Sequence, residues 1–127
     1  ISQYGAMGAL EMGESEVHKF NLEYKARRDL ICQRLDNLNY VFDYVFPEST
    51  YYVFPRIKDE FIPKSKNNKY NSNSWEFCMN MLRNAQVATV PGFAFGNSGE
   101  NHIRFSFGKD QDDINRAFDR LDKFFKK

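Results

Sequence analysis

Val17, Phe20, Tyr24, Ile31, Leu35 and Leu38 recur at three-, four- or seven-residue steps, the spacing that gathers side chains on one face of an α-helix. Such a helix runs about 22 residues, or about 33 Å at 1.5 Å per residue, and any fold of this chain must find a place for it. Ser15 is the expected N-cap, with Glu16 in a first turn where the helix dipole favours an acid. The helix is long for a chain of 127 residues, so part of its stripe is expected to lean on something beyond the compact unit. Directly behind it the period changes. "YVFDYVFPESTYYVFPRI" holds two aromatic, β-branched runs around Pro-Glu-Ser-Thr, which read as a hairpin or two short strands.

The remaining segments fill out the order. Residues 2–12 form a small-residue helix with Ala6, Ala9 and Leu10 on one side, ending near Gly13. Residues 58–74 are polar, Asn-rich and aperiodic, hence a surface loop. A helix is expected from about Ser74, with Trp75, Cys78, Met79 and Leu82 inward. "VATV" is a strand ending at Pro91-Gly92, a glycine-bearing loop follows, and "HIRFSF" is the last strand. Asp110 caps the final helix, whose Ile114, Ala117, Phe118 and Leu121 face the core. Helices alternating with short strands give an α+β fold, an α/β sandwich whose short, mostly antiparallel sheet is covered by helices on one side.

Charge narrows the function classes. Eighteen basic and seventeen acidic side chains leave a net charge of +1, which is no footprint for nucleic acid or an anionic membrane. Thirteen Phe and seven Tyr argue for a real core. Cys32 and Cys78 lie in apolar helical stretches and read as reduced core thiols, which points to the cytoplasm. His18 and His102 have no Cys or His at ligand spacing, so no metal site is expected. The opening "ISQYGAMGALEMG" begins in mid-pattern without an initiator Met, so the chain reads as a segment of a longer protein. "GFAF" at 92–95 and the Gly-x-x-Gly at 96–99 echo RNA-binding modules, but the flanking residues those modules need are missing.

The strand "HIRFSF" holds the main candidate. Side chains alternate across a strand, so Ile103, Phe105 and Phe107 share the core face while His102, Arg104 and Ser106 share the other. A guanidinium held on a strand suits a carboxylate, because its planar fork donates two parallel charge-assisted hydrogen bonds. A solvated arginine on an open sheet face satisfies the same pattern.

"VATVPGFAFGNSGENHIRFSFG" resembles the signature near the C-terminus of the class I/II, fold-type I, pyridoxal-phosphate-dependent aminotransferases. "ISQYGAMGALE", "YKARRDLICQRL", "FPESTYYVFPRI" and "NSWEFCMNMLRNAQVATVPG" resemble further segments of that family, in its own order along nearly the whole chain. The resemblance implies the C-terminal small domain of the aspartate aminotransferase superfamily. Residues 1–13 would then end a large-domain helix, 15–38 form the long N-terminal interdomain helix, and 39–127 form the sandwich, with the large cofactor-binding domain lying outside the chain. It implies that Arg104 binds the substrate α-carboxylate, that Tyr52 and the Phe93–Phe95 loop lie near the active-site mouth, and that the domain closes over substrate. The implied reaction moves an amino group between an amino acid and a 2-oxo acid, using pyridoxal 5'-phosphate on a lysine of the large domain. No lysine here precedes a Gly-Arg phosphate-binding stretch, so no catalytic or cofactor-binding residue is expected in this chain, and the chain alone is expected to be inactive. A homodimer is implied for the full-length protein, with neither nucleic acid nor membrane as partner. Two departures stand out: Ser49 replaces a frequent glycine, and the 58–74 loop is long. Lyase or decarboxylase chemistry on the same fold, and an RNA-binding α+β module, are the alternatives.

Overall fold

A computed structural model describes residues 1–64 and 69–126. Helix α1 (Ser2–Glu11) ends before Gly13, whose φ of 74° turns the chain into α2 (Glu14–Asp36). That turn displaces the expected cap. Gly13, not Ser15, precedes the first helical residue, and no side chain caps the end. Glu14 and Glu16 instead place negative charge in the first turn.

The strands are short. Strand β1 (Phe42–Asp43) pairs antiparallel with β3 (Arg56–Ile57), and β5 (Ile103–Ser106) lies between β2 (Tyr52–Val53) and β4 (Val90–Pro91), antiparallel to both. Tyr52 faces Ser106, Val53 faces Phe105, and an isolated bridge joins Arg56 to His102. These pairs keep one register, so β2 and β3 are a single run along β5, interrupted where Pro55 has no N–H to give. Pro55 still accepts from the Ile103 N–H at 3.0 Å. The runs around Pro-Glu-Ser-Thr therefore do not close on each other as a tight hairpin.

The turn before β2 takes a left-handed φ of 68° at Thr50, one residue beyond Ser49. A β-branched side chain is strained there.

Helix α3 (Asn73–Ala85) starts on Ser72, whose hydroxyl accepts from the Trp75 N–H at 3.1 Å. Its inward face differs from the expected one. Phe77, Cys78, Met81 and Ala85 are buried, whereas Leu82 is exposed. The helix carries apolar residues on two faces. Its rotation is set by Phe77, which meets Phe42 edge-on and stacks on Phe125, both at 6.0 Å between centroids. Helix α4 (Gln111–Phe125) is capped as expected: the Asp110 carboxylate accepts from the Asp113 N–H at 2.8 Å. Ile114, Phe118 and Leu121 are buried, with Ala117 half-buried beside them.

Ile31, Leu35 and Leu38 of the long stripe join Val41, Phe42, Ile57, Met81, Ile103, Phe107 and Phe118 in one core. The hydrophobic burial of such side chains contributes roughly 1.5–3 kcal/mol each. Helices α2, α3 and α4 cover the sheet, and the other face of β5 stays open to carry the site. Cys32 and Cys78 are buried and unbridged. Burial raises the pKa of both, that of Cys78 to about 11 despite a hydrogen bond from Thr89, so both stay protonated and unreactive. No helix among the described residues is long and apolar enough to cross a membrane.

Candidate functional site

The alternation expected in the last strand is present. Ile103, Phe105 and Phe107 are buried, Arg104 is half-buried on the opposite face, and Ser106 is exposed. Because Tyr52 pairs with Ser106, it is the diagonal same-face neighbour of Arg104. Its ring lies 4.1 Å from the guanidinium carbon, and the Phe95 ring lies 4.9 Å from it. Each such contact is worth about 0.5–2 kcal/mol and leaves the in-plane N–H donors for another group.

Among the described residues Arg83, Arg104 and Arg120 reach no carboxylate, and Arg120 donates to the Gln86 carbonyl oxygen at 3.3 Å; of the three, Arg104 is the one held between two rings. Arg27, Arg28, Arg34, Arg56 and Arg116 each reach a carboxylate: Glu23, Asp29, Asp119 with Asp122, Asp59 and Asp113 respectively. Among the described residues, no acceptor takes a hydrogen bond from the Arg104 guanidinium. Its planar fork has the geometry that suits a carboxylate.

The aromatic surface continues on both sides. Phe54 stacks on His102 at 5.1 Å and meets Phe95 edge-on at 5.6 Å. His102 Nδ1 lies 3.0 Å from the Glu100 carbonyl oxygen, so this histidine packs with the site. Tyr51 lies in the bend before β2, where strand alternation does not apply, and its ring is 4.3 Å from that of Tyr52. Its hydrogen bond to Tyr52 raises the Tyr51 pKa. Tyr51 also faces Tyr24 of α2 at 6.2 Å and is the more exposed of the two tyrosines.

Phe95 reaches Arg104 because of the loop after β4. Residues Gly92–Phe95 and Asn97–Gly99 form two 3₁₀ turns, separated by Gly96 at φ 104°. The chain crosses itself within this loop. A Cβ on Gly92 would stand 2.0 Å from the Gly99 carbonyl oxygen, and one on Gly99 would stand 2.2 Å from that of Gly92. Only glycine fits at either place, because both obstacles are backbone. This turn geometry also removes the RNA-binding reading of "GFAF", which requires alternate aromatics on a strand. Phe93 instead packs on Tyr70 and Trp75, at 5.2 Å and 6.3 Å.

Sequence reasoning missed Glu100. Its carboxylate accepts from the backbone N–H groups of Asn73 at 2.6 Å and Ser74 at 3.0 Å, and from the Ser72 hydroxyl at 2.9 Å. Burial alone would raise its pKa, but these bonds and one from the Ser74 hydroxyl hold it below the usual carboxylate value. The only sequence signal was an acidic residue beside the glycine of a loop, and its partners lie 26–28 residues away.

His18 is exposed on α2. Lys19 pairs with Glu16 at 2.5 Å and Lys58 with Asp43 at 3.4 Å, both at the surface. Part of the 58–74 loop, residues 65–68, lies outside the described residues.

The fold is a small α+β sandwich with Arg104 half-buried on an aromatic-lined strand, and similarity gives it a family. The chain is 35% identical over 126 residues to "Aromatic-amino-acid aminotransferase 2" of Thermococcus litoralis, matching 98% of this chain and 29% of that protein. It is 37% identical over 123 residues to "Aspartate aminotransferase" of Pyrococcus abyssi, matching 95% of this chain and 28% of that protein. The solved aromatic aminotransferase of Pyrococcus horikoshii superposes with a TM-score of 0.72 at 32% identity, covering 87% of this chain and 26% of that one. No protein-family model matches the chain. The chain belongs to the fold-type I aminotransferases, as the counterpart of their small C-terminal domain. It spans about three-tenths of the length of the curated relatives it matches.

Proposed function

We propose that this chain is the substrate-carboxylate arm of a pyridoxal-phosphate-dependent aminotransferase, with Arg104 binding the α-carboxylate of an amino acid or 2-oxo acid. The observation that carries the reading is the Arg104 guanidinium, set against Tyr52 and Phe95 and without a carboxylate partner among the described residues. The names of the relatives support the amino-transfer chemistry. A bidentate salt bridge to Arg104 would fix the orientation of the substrate about its α-carbon. Tyr52 and Phe95 hold the fork in one rotamer and shield it from water, which strengthens the ion pair.

The chain's own residues do not fit pyridoxal phosphate. Lys19 and Lys58 are engaged with acids on the surface, and no Gly-Arg pair follows any lysine. The cofactor, which supplies the electron sink for amino transfer, is therefore assigned to a region outside this chain. The exposed apolar residues of α1 and the first half of α2 are read as the surface on which that region packs. Closure of this domain over bound substrate, a homodimer and a cytoplasmic location belong to the same reading.

The test is the visible absorption spectrum of the natural full-length protein with added pyridoxal phosphate. A band that shifts on adding one amino acid of a panel, and returns on adding a 2-oxo acid, is the expected result. A protein that stays colourless, or whose band responds to no amino acid, contradicts the reading.

A further inference from the structure

Glu100 is four residues from Arg104, and its own bonds run to the start of α3. One carboxylate oxygen accepts from the Asn73 and Ser74 N–H groups, at the start of α3. The other accepts from the Ser72 hydroxyl at 2.9 Å and the Ser74 hydroxyl at 3.4 Å. The Ser74 oxygen in turn accepts from the Phe93 N–H at 3.1 Å. A relay thus runs from Glu100 through Ser74 to the first turn of the loop that carries Phe95. Ser72, Ser74 and Asn73 are buried polar residues, at 2%, 0% and 8% exposure. Their burial makes the relay costly to leave unsatisfied.

The second anchor of the loop is the backbone crossing of Gly92 and Gly99, closed by the Gly92 N–H bond to the His102 carbonyl at 2.8 Å. Asn73 also donates to Asn101 Oδ1 at 2.9 Å, which ties α3 to the residues leading into β5. The N-terminus of α3, the Phe93–Phe95 turn and the entry to β5 thus meet around Glu100, with the backbone crossing and the Asn73–Asn101 bond as further ties.

We propose that Glu100 is a positioning residue for the Arg104 site: bonded to the first turn of α3 and, through Ser74, to Phe93, it holds the turn that lays Phe95 against the Arg104 guanidinium. The inference rests on the reading of Arg104 as the carboxylate-binding residue. Gln at position 100 keeps the shape but removes the charge. Ala at position 74 removes the hydroxyl of the relay and leaves the Glu100 bonds to Ser72 and the two N–H groups in place.

The experiment is steady-state kinetics of the natural full-length protein with Glu100→Gln, Ser74→Ala and the double variant, together with the Arg104 Nε–Hε resonance of each. Each single variant is expected to raise the KM for the amino acid about tenfold while kcat moves less than about twofold, because the carboxylate contact is made in ground and transition states alike. The double variant should add little, since both act through one relay. A merely structural role would lower the melting temperature and leave KM unchanged, and that result overturns the proposal. Should Glu100→Gln fail to fold, Ser74→Ala carries the same test. Should the wild-type protein transfer no amino group, the functional reading fails. The proposal is then decided by the resonance: a shift in the variants sustains the positioning role, and an unmoved signal removes it.

Discussion

The two halves of α2 carry the same apolar stripe and meet different fates. In the second half, Ile31, Leu35 and Leu38, just beyond the helix end, are at most 1% exposed. In the first half, Val17 and Phe20 are each 57% exposed, and α1 before it buries nothing. Helical periodicity therefore marks a face that something must cover; it does not say whether the cover lies within the chain. Helix α4 and the sheet cover the second half. Nothing among the described residues covers the first, where Leu22 is also exposed, and Tyr4, Met7 and Leu10 of α1 are exposed as well.

Truncating the buried half should have the largest effect. Leu35→Ala is expected to destabilise this chain by about 3 kcal/mol, the usual cost of a buried leucine. Phe20→Ala should cost less than about 0.5 kcal/mol. Urea denaturation of both variants decides it, and equal costs would break the comparison. The same Phe20→Ala change in the natural full-length protein sharpens it. There the cost should rise to about 2 kcal/mol if the stripe is covered, and an unchanged small cost would remove the proposed packing surface.

Glu100 separates the regions by pH. Its folded-state pKa lies below its ordinary 4.5, so its contribution to stability is complete above 4.5 and is lost as the pH falls through the folded value. Melting of α3 and the Arg104 loop should thus steepen below pH 4.5, whereas α1 and the first half of α2 should show no such dependence on this group. Hydrogen exchange against pH is the measurement, and Glu100→Gln should flatten the α3 response. The smallest expected effect is at the strained turn. Thr50→Gly should gain up to about 1 kcal/mol by relieving the positive φ, and a loss would mean that the threonine side chain offsets its strain.

Much of this was legible from local pattern. Alternation in "HIRFSF" placed Arg104 off the core, and the Asp110 cap was readable from its spacing to the final helix. Harder cases had competing local solutions. Gly13 turned the chain before Ser15 could cap, and α3 had two apolar faces, of which the Phe42–Phe77–Phe125 cluster selected one. The Glu100 relay and the Gly92–Gly99 crossing were illegible because their partners meet only after folding, and no periodicity records them.

The proposed role of Arg104 as the receptor of the substrate carboxylate is tested by kcat/KM of the natural full-length protein carrying Arg104→Lys. Lysine keeps the charge and loses the planar fork. The expected result is a fall of about 100-fold for an amino acid, with no change for a primary amine that lacks the carboxylate. Amino-acid affinity and turnover equal to the wild type would contradict it.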